Sequence, residues 1–289
     1  MPSFLAGVTR ENLRHLAELF RQSRNPAAAV YDSLGPDFFL SPAPGWLNLG
    51  LWEGRGDEDE AETAVRRLVQ TVAANLPKGG AILDVGNGLG AQDPVIAEVT
   101  SPTLLVAMNI TESQLRFGKA RIDEAKALPV AGDAVRIPLR EQRFDGVISI
   151  EAAFHFSSRA RFFGEVRRVL RTGGRLAMSD VSVERIRPRD PREAFAGVSN
   201  LRAWGIKRRS LNSGQEIERL LASAGFADIE IQQVGERTFL PSIRLFRSRL
   251  KKADAPAIQR SGARLLLSQW ELLYERGMME YLLISATAV

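Results

Sequence analysis

The 289-residue chain contains no cysteine. Disulfides, thiolate catalysis and cysteine-ligated zinc are therefore excluded, and a reducing compartment is compatible with the composition. Histidine is nearly as scarce, with two residues, His15 and His155. No run of about 18 apolar residues occurs, so no membrane-spanning helix is expected. The first twenty residues lack a signal-peptide layout, because charges interrupt their apolar residues at helical spacing. These absences predict a cytoplasmic protein without a membrane partner. A hydrophobic content of 45% and a charged content of 25% are those of a globular chain long enough to bury a large core.

The net charge is +5. The positive residues recur as Arg185, Arg187, Arg189 and Arg192, then Lys207, Arg208 and Arg209, then Arg244, Arg247, Arg249, Lys251 and Lys252. They do not form one basic block interleaved with aromatics. A solvated surface is the expectation, with attraction for an acidic substrate as the alternative, and no nucleic-acid partner is predicted.

Residues 9–31 read as a helix, with Leu13, Leu16, Ala17 and Phe20 in one stripe and Thr9 as N-cap. His15 lies near the edge of that stripe and reads as a surface or packing residue. The following segment is rich in Gly, Pro and large apolar residues, among them Phe38, Phe39, Trp46 and Trp52. Loops of this kind commonly fold over a pocket. Asp57–Glu62 opens a helix running to about residue 75, its acids suited to the helix dipole. From residue 80 short apolar runs alternate with helical stretches. AILDVG, TLLVAMNI, RIPL, FDGVISI, RLAMSDV, FADIEIQQV and MEYLLISATAV read as strands. Residues 112–126, 160–170, the stretch GQEIERLLASAG and most of 242–276 read as helices. Such alternation predicts an α/β fold with a parallel sheet covered on both faces.

Asp84-Val85-Gly86-Asn87-Gly88-Leu89-Gly90 follows the first run directly. Its glycines permit a tight turn and close approach of a ligand at the carboxyl edge of the sheet. A dinucleotide site wants G-x-G-x-x-G and an acid after the second strand. Here the third glycine comes one residue early, and Asn109 ends the second run. A purely structural glycine turn is the other alternative.

Together, ILDVGNGLG, VAMNITESQL, GDAVRIPL, FDGVISIEAAFHF and VLRTGGRLAMSD resemble the ordered motifs of class I S-adenosylmethionine-dependent methyltransferases. The resemblance runs from about Tyr31 to the C-terminus. It implies a Rossmann-like, seven-stranded, mostly parallel sheet with an antiparallel last strand. It also implies a helical cap over 1–75 and a core over 76–289 with insertions at about 183–212 and 242–276. The cofactor would be S-adenosylmethionine, leaving as S-adenosylhomocysteine. The implied cofactor contacts are Tyr31, Trp52, Asp84, Gly86, Asn87, Gly88, Asn109, Ile110, Gln114, Asp133, Ala134 and Glu151. Asn109 stands where an acid usually holds the ribose hydroxyls, a task an amide can also perform. Asp133 would hold the adenine amino group. Tyr31, Trp46 and Trp52 resemble an aromatic lid, with packing onto the core as the alternative for Trp46.

EAAFHF, the region of Trp204 and LNSGQEIERLLASAGF, and ERGMMEYLLISA look similar to natural-product O-methyltransferases. The acceptor would be a small hydroxylated metabolite of bacterial secondary metabolism, in which antibiotic biosynthesis is one setting. Methyl transfer from a sulfonium is an in-line displacement, so the protein must align the partners and take a proton from a hydroxyl. His155 titrates near neutrality and suits that task, with a packed histidine between Phe154 and Phe156 as the alternative. By resemblance, Asp180 would orient His155. Glu151 is the other candidate base, or the floor beneath the sulfonium. A prenyl diphosphate C-methyltransferase with diphosphate-binding arginines, an N-methyltransferase and a methyltransferase-fold cyclase remain as alternatives. No metal ligand is named, and a monomer and a homo-oligomer are equally compatible.

Overall fold

The computed structural model describes residues 41–203, 206, 210–252 and 257–289. The expected helix over 9–31, His15, Tyr31, Phe38, Phe39, Trp204 and the Lys207–Arg209 run lie outside the described residues.

Seven strands form one sheet: β1 (Ala81–Val85), β2 (Leu104–Asn109), β3 (Leu128–Ala131), β4 (Phe144–Ile150), β5 (Leu170–Ser182), β6 (Phe226–Gln233) and β7 (Glu280–Ala288). Their spatial order is β3-β2-β1-β4-β5-β7-β6. The first five pair in parallel, and β7 runs antiparallel between β5 and β6. All five residues of β1 are buried, as a strand covered on both faces requires. Ile82 packs into the hydrophobic layer on one face, and Ala81, Leu83 and Val85 into the layer on the other.

The helices are α1 (Ala61–Ala73), α2 (Asp93–Thr100), α3 (Glu112–Phe117), α4 (Lys119–Glu124), α5 (Arg159–Val169), α6 (Pro191–Ala203), α7 (Gly214–Ser223), α8 (Phe239–Lys252) and α9 (Ala257–Glu275). Helix α1 buries Ala61, Ala64, Val65, Leu68, Val69 and Val72, a single helical face that joins Ile82 in the core. Helix α7 begins in a capping box: Ser213 accepts from the Glu216 amide while the Glu216 side chain accepts from the Ser213 amide.

Two local expectations are corrected. The third strand is Leu128–Ala131, not RIPL at 136–139; Ile137 is buried in a loop. The strand pairs only with β2 at the sheet's edge and is largely exposed; it is four residues long and contains Pro129, which argues against a strand except at such an edge. The helix expected over 112–126 divides at Gly118, where a Cβ would stand 2.7 Å from the Leu89 carbonyl oxygen. The helix pair can approach the glycine loop that closely only through a residue without a side chain.

The order of strands reverses between β1 and β4. The chain winds outward through β2 and β3, then crosses to β4 on the other side of β1. Such a switch point leaves a crevice at the strands' carboxyl ends.

Candidate functional site

The glycine loop leaves β1 at this crevice. Gly86, Gly88 and Gly90 all have positive φ, at 83°, 57° and 74°. A Cβ on Gly86 would lie 2.6 Å from the Ala152 Cβ, so the loop touches the segment that follows β4. At Gly88 a Cβ would meet the Leu47 side chain at 3.1 Å. The amides of Gly88 and Leu89 donate to no carbonyl among the described residues. A narrow turn with open amides suits the polar end of an amino-acid-bearing cofactor.

Beneath the loop, Asp84 and Asp93 form a buried carboxyl pair. Gln92 Nε2 donates to both Asp84 oxygens at 2.9 and 2.7 Å, and Asn87 Nδ2 donates to Asp93 Oδ2 at 3.0 Å. Burial and the neighbouring Asp93 charge push Asp84 well above the usual carboxylate range, and burial pushes Asp93 up to about 6. Both carboxyls therefore hold a proton more tightly than an exposed aspartate does.

Asn109 ends β2 and is nearly buried. Its Nδ2 donates to the Gly88 carbonyl at 3.1 Å and to Gln114 Oε1 at 3.0 Å, while its Oδ1 accepts from the Thr111 amide at 3.0 Å. Both donor hydrogens are thereby engaged within the protein and tie β2 to the loop, while Oδ1 keeps a lone pair with which it can accept from a hydroxyl. Ile110, 43% exposed, and the exposed Asp133 stand where β2 and β3 end, at the same edge. Ala134 is buried beside them. Trp52 departs from its expected lid position. It is 1% exposed in the core, where Nε1 donates to the Leu49 carbonyl at 2.8 Å and to Ser242 Oγ at 3.1 Å. Trp46 is also in that core.

Glu151 follows β4 at once and has φ +48°, a left-handed conformation unfavourable for a side chain larger than glycine. Its amide is held by the Ser179 carbonyl at 3.1 Å and Ser179 Oγ at 3.2 Å. Its Oε1 accepts two short hydrogen bonds, each 2.6 Å, from the Tyr281 hydroxyl and the Leu49 amide. Among the described residues no donor reaches Oε2. Burial pushes this carboxyl up to about 7, against the opposing pull of Tyr281 and Leu49. Tyr281 lies 130 positions away on β7 and escaped sequence reasoning; only the β5–β7 pairing brings it to Glu151.

Glu151 lines a cavity of about 400 Å³. Its walls come from Leu47 and Leu49, the end of β5, α6, Phe239 on α8, and Trp270 on α9. The volume is that of a small-molecule pocket. Phe154 also lines it, whereas His155 is not among the lining residues. His155 closes a short 3-10 turn, Ala153–His155, with its ring centroid 4.0 Å from that of Phe154.

Asp180 does not take the orienting place expected for it. It is fully buried, and Arg159 binds it with Nε–Oδ2 at 2.7 Å and Nη2–Oδ1 at 3.2 Å. Arg159 also donates to the Val181 and Ser210 carbonyls, so the pair joins α5, β5 and the segment after α6. A carboxylate so deeply buried needs a fixed cation more than it can serve a histidine. Arg159 went unnoticed in a chain with arginines throughout. Three arginines of the basic runs are likewise engaged: Arg185 pairs with Glu193, Arg247 with Glu271 and Arg249 with Glu58.

Residues 83–178, from β1 into β5, match the family described as a methyltransferase domain. The chain is 29% identical over 259 residues to erythromycin 3''-O-methyltransferase of Saccharopolyspora erythraea, covering 84% of this chain and 81% of that one. It is 30% identical over 212 residues to the O-methyltransferase resE of Aspergillus sclerotiorum, covering 71% and 77%. Among solved structures, the cyclase SpnF superposes with a TM-score of 0.69 over 98% of this chain and 97% of its own, at 19% identity, a likeness of fold. The chain therefore belongs to the class I S-adenosylmethionine-dependent methyltransferases, resembling the natural-product O-methyltransferases among them, and S-adenosylmethionine is its cofactor.

Proposed function

We propose that the enzyme methylates a hydroxyl oxygen of a small metabolite, with Glu151 as the group that takes the proton. The observation that carries this reading is the Glu151 carboxyl on the cavity wall, with Oε1 anchored by Tyr281 and Leu49 and Oε2 without a donor among the described residues. S-adenosylmethionine, when bound, supplies a methyl group already activated on a sulfonium. The chain's own part is to hold that cofactor at the glycine loop, Asn87 and Asp133, to exclude water, and to accept the hydroxyl proton at Oε2. A carboxyl titrating near neutrality suits a base working near neutral pH. The relatives named as O-methyltransferases support oxygen over carbon or nitrogen as the nucleophile, and the erythromycin enzyme supports a place in secondary metabolism.

The test offers S-adenosylmethionine with hydroxylated macrolides and polyketides, then locates the new methyl group by NMR. A methyl on oxygen supports the reading, and a methyl on carbon or nitrogen overturns it. With the acceptor found, Glu151→Gln should lose turnover by about 10²-fold or more, with S-adenosylhomocysteine affinity retained. If His155→Ala shows that loss and Glu151→Gln does not, the proton goes to the histidine instead.

A further inference from the structure

The acceptor cavity has few polar groups on its wall, and nearly all of them are already committed. Glu193 is fully buried. Its Oε2 accepts from Arg185 Nη1 at 2.9 Å and from the Arg189 amide at 2.7 Å, and its Oε1 from Arg185 Nη2 at 3.0 Å. Arg185 spends its guanidinium further on the Arg187 carbonyl at 2.7 Å and the Arg276 carbonyl at 3.2 Å. The Arg185 charge is thus cancelled beside the cavity by a carboxylate that the same contacts hold at about 2. Asn200 is likewise occupied. Its Nδ2 donates to the Ala196 carbonyl and to Gln269 Oε1, both at 2.9 Å, and its Oδ1 accepts from Trp270 Nε1 at 2.8 Å. The remaining lining is aliphatic and aromatic apart from Glu151.

We infer that this cavity takes an uncharged acceptor, an alcohol or phenol carried on an apolar frame, and rejects acceptors bearing phosphate or carboxylate. The inference deepens, and rests on, the assignment of the cavity to the methyl acceptor. An anion buried there would meet no free cation among the described residues, and an unpaired buried charge is strongly disfavoured. An apolar frame would be recognised by shape, and its hydroxyl would find one open polar atom, Glu151 Oε2. The Arg185–Glu193 pair then acts as a selectivity device: it closes the cavity rim with a guanidinium that attracts no anion, because its charge is already answered.

Geraniol and geranyl diphosphate share one hydrocarbon and differ in charge, so they separate the two cases. Their affinities for the full chain saturated with S-adenosylhomocysteine would be measured by calorimetry, with and without magnesium. Geraniol is expected to bind at least about tenfold tighter than the diphosphate. Gly197 lies on the cavity-lining face of α6, and a Cβ there meets nothing within 4 Å, so Gly197→Phe fits the fold and narrows the space. That variant is expected to weaken geraniol at least tenfold while S-adenosylhomocysteine still binds. Diphosphate binding equal to or tighter than geraniol overturns the inference. So does an absence of geraniol binding, or geraniol binding untouched by Gly197→Phe. Failure of S-adenosylhomocysteine itself to bind is a different result, and it would remove the functional reading beneath.

Discussion

The Tyr281 hydroxyl donates to Glu151 Oε1 across 2.6 Å and lies 3.1 Å from Ser179 Oγ. Three strands therefore meet in one short chain of polar atoms: β4 delivers the carboxyl, β5 the serine and β7 the phenol. The phenol itself is pushed well above its ordinary range by burial and by the Glu151 charge, so it remains a donor. A donor on a carboxylate favours its charged form.

Tyr281→Phe should accordingly raise the Glu151 pKa above its present value near 7. As a base, Glu151 works when deprotonated, so the rise of kcat/KM with pH should move to higher pH. Another charge acting on this carboxyl is Asp180, already neutralised by Arg159. A profile of kcat/KM from pH 5 to 9 checks the shift. A fall in rate with an unmoved profile would assign Tyr281 to packing alone.

Asp180→Ala should unfold the protein more readily, by about 3–5 kcal/mol, because it strands the buried Arg159 charge. Urea unfolding reads this directly. Pairing Asp180→Leu with Arg159→Met should recover most of the loss, since apolar replacements of buried ion pairs are well tolerated. Full stability with lost turnover in Asp180→Ala would restore the orienting role expected from sequence.

The Asp84–Asp93 pair makes stability depend on pH in an uncommon direction. Asp93 holds its proton up to about pH 6 when folded, against an ordinary value of 3.8. Between those values the folded protein binds more protons than the unfolded one, so stability falls as pH rises, and the contribution is gone above pH 6. The lowered carboxyls, Glu193 among them, work oppositely and lose their contribution only below about pH 4.5. Urea midpoints from pH 4.5 to 6.5 should therefore decline in the parent. In Asp93→Asn the decline should be shallower, with the Asn87 hydrogen bond kept by the new amide oxygen.

Much of the sheet could be read in the sequence because its central strands are buried on both faces, as AILDV and FDGVISI show. The edge strand LPVA could not, since it is only four residues long and Pro129 inside it argues against a strand. Glu151 was legible from its place after β4. Its partners were not. Leu49 contributes a backbone amide, which no side chain announces, and Tyr281 depends on the antiparallel insertion of β7. Trp52 misled because an aromatic residue among glycines and prolines reads alike whether it covers a pocket or fills a core. Asp180 misled because strand ends look solvated until the cation that covers them is known.

The contact between Gly86 and Ala152 leaves room for one methyl group where the glycine loop meets the segment leading away from Glu151. Redesign of the acceptor range thus has a rigid side and a permissive one. Bulk added at position 152 would press on the glycine loop, the proposed seat of the methyl donor, whereas bulk removed or added along α6, at Gly197 and Val198, changes the cavity proposed for the acceptor.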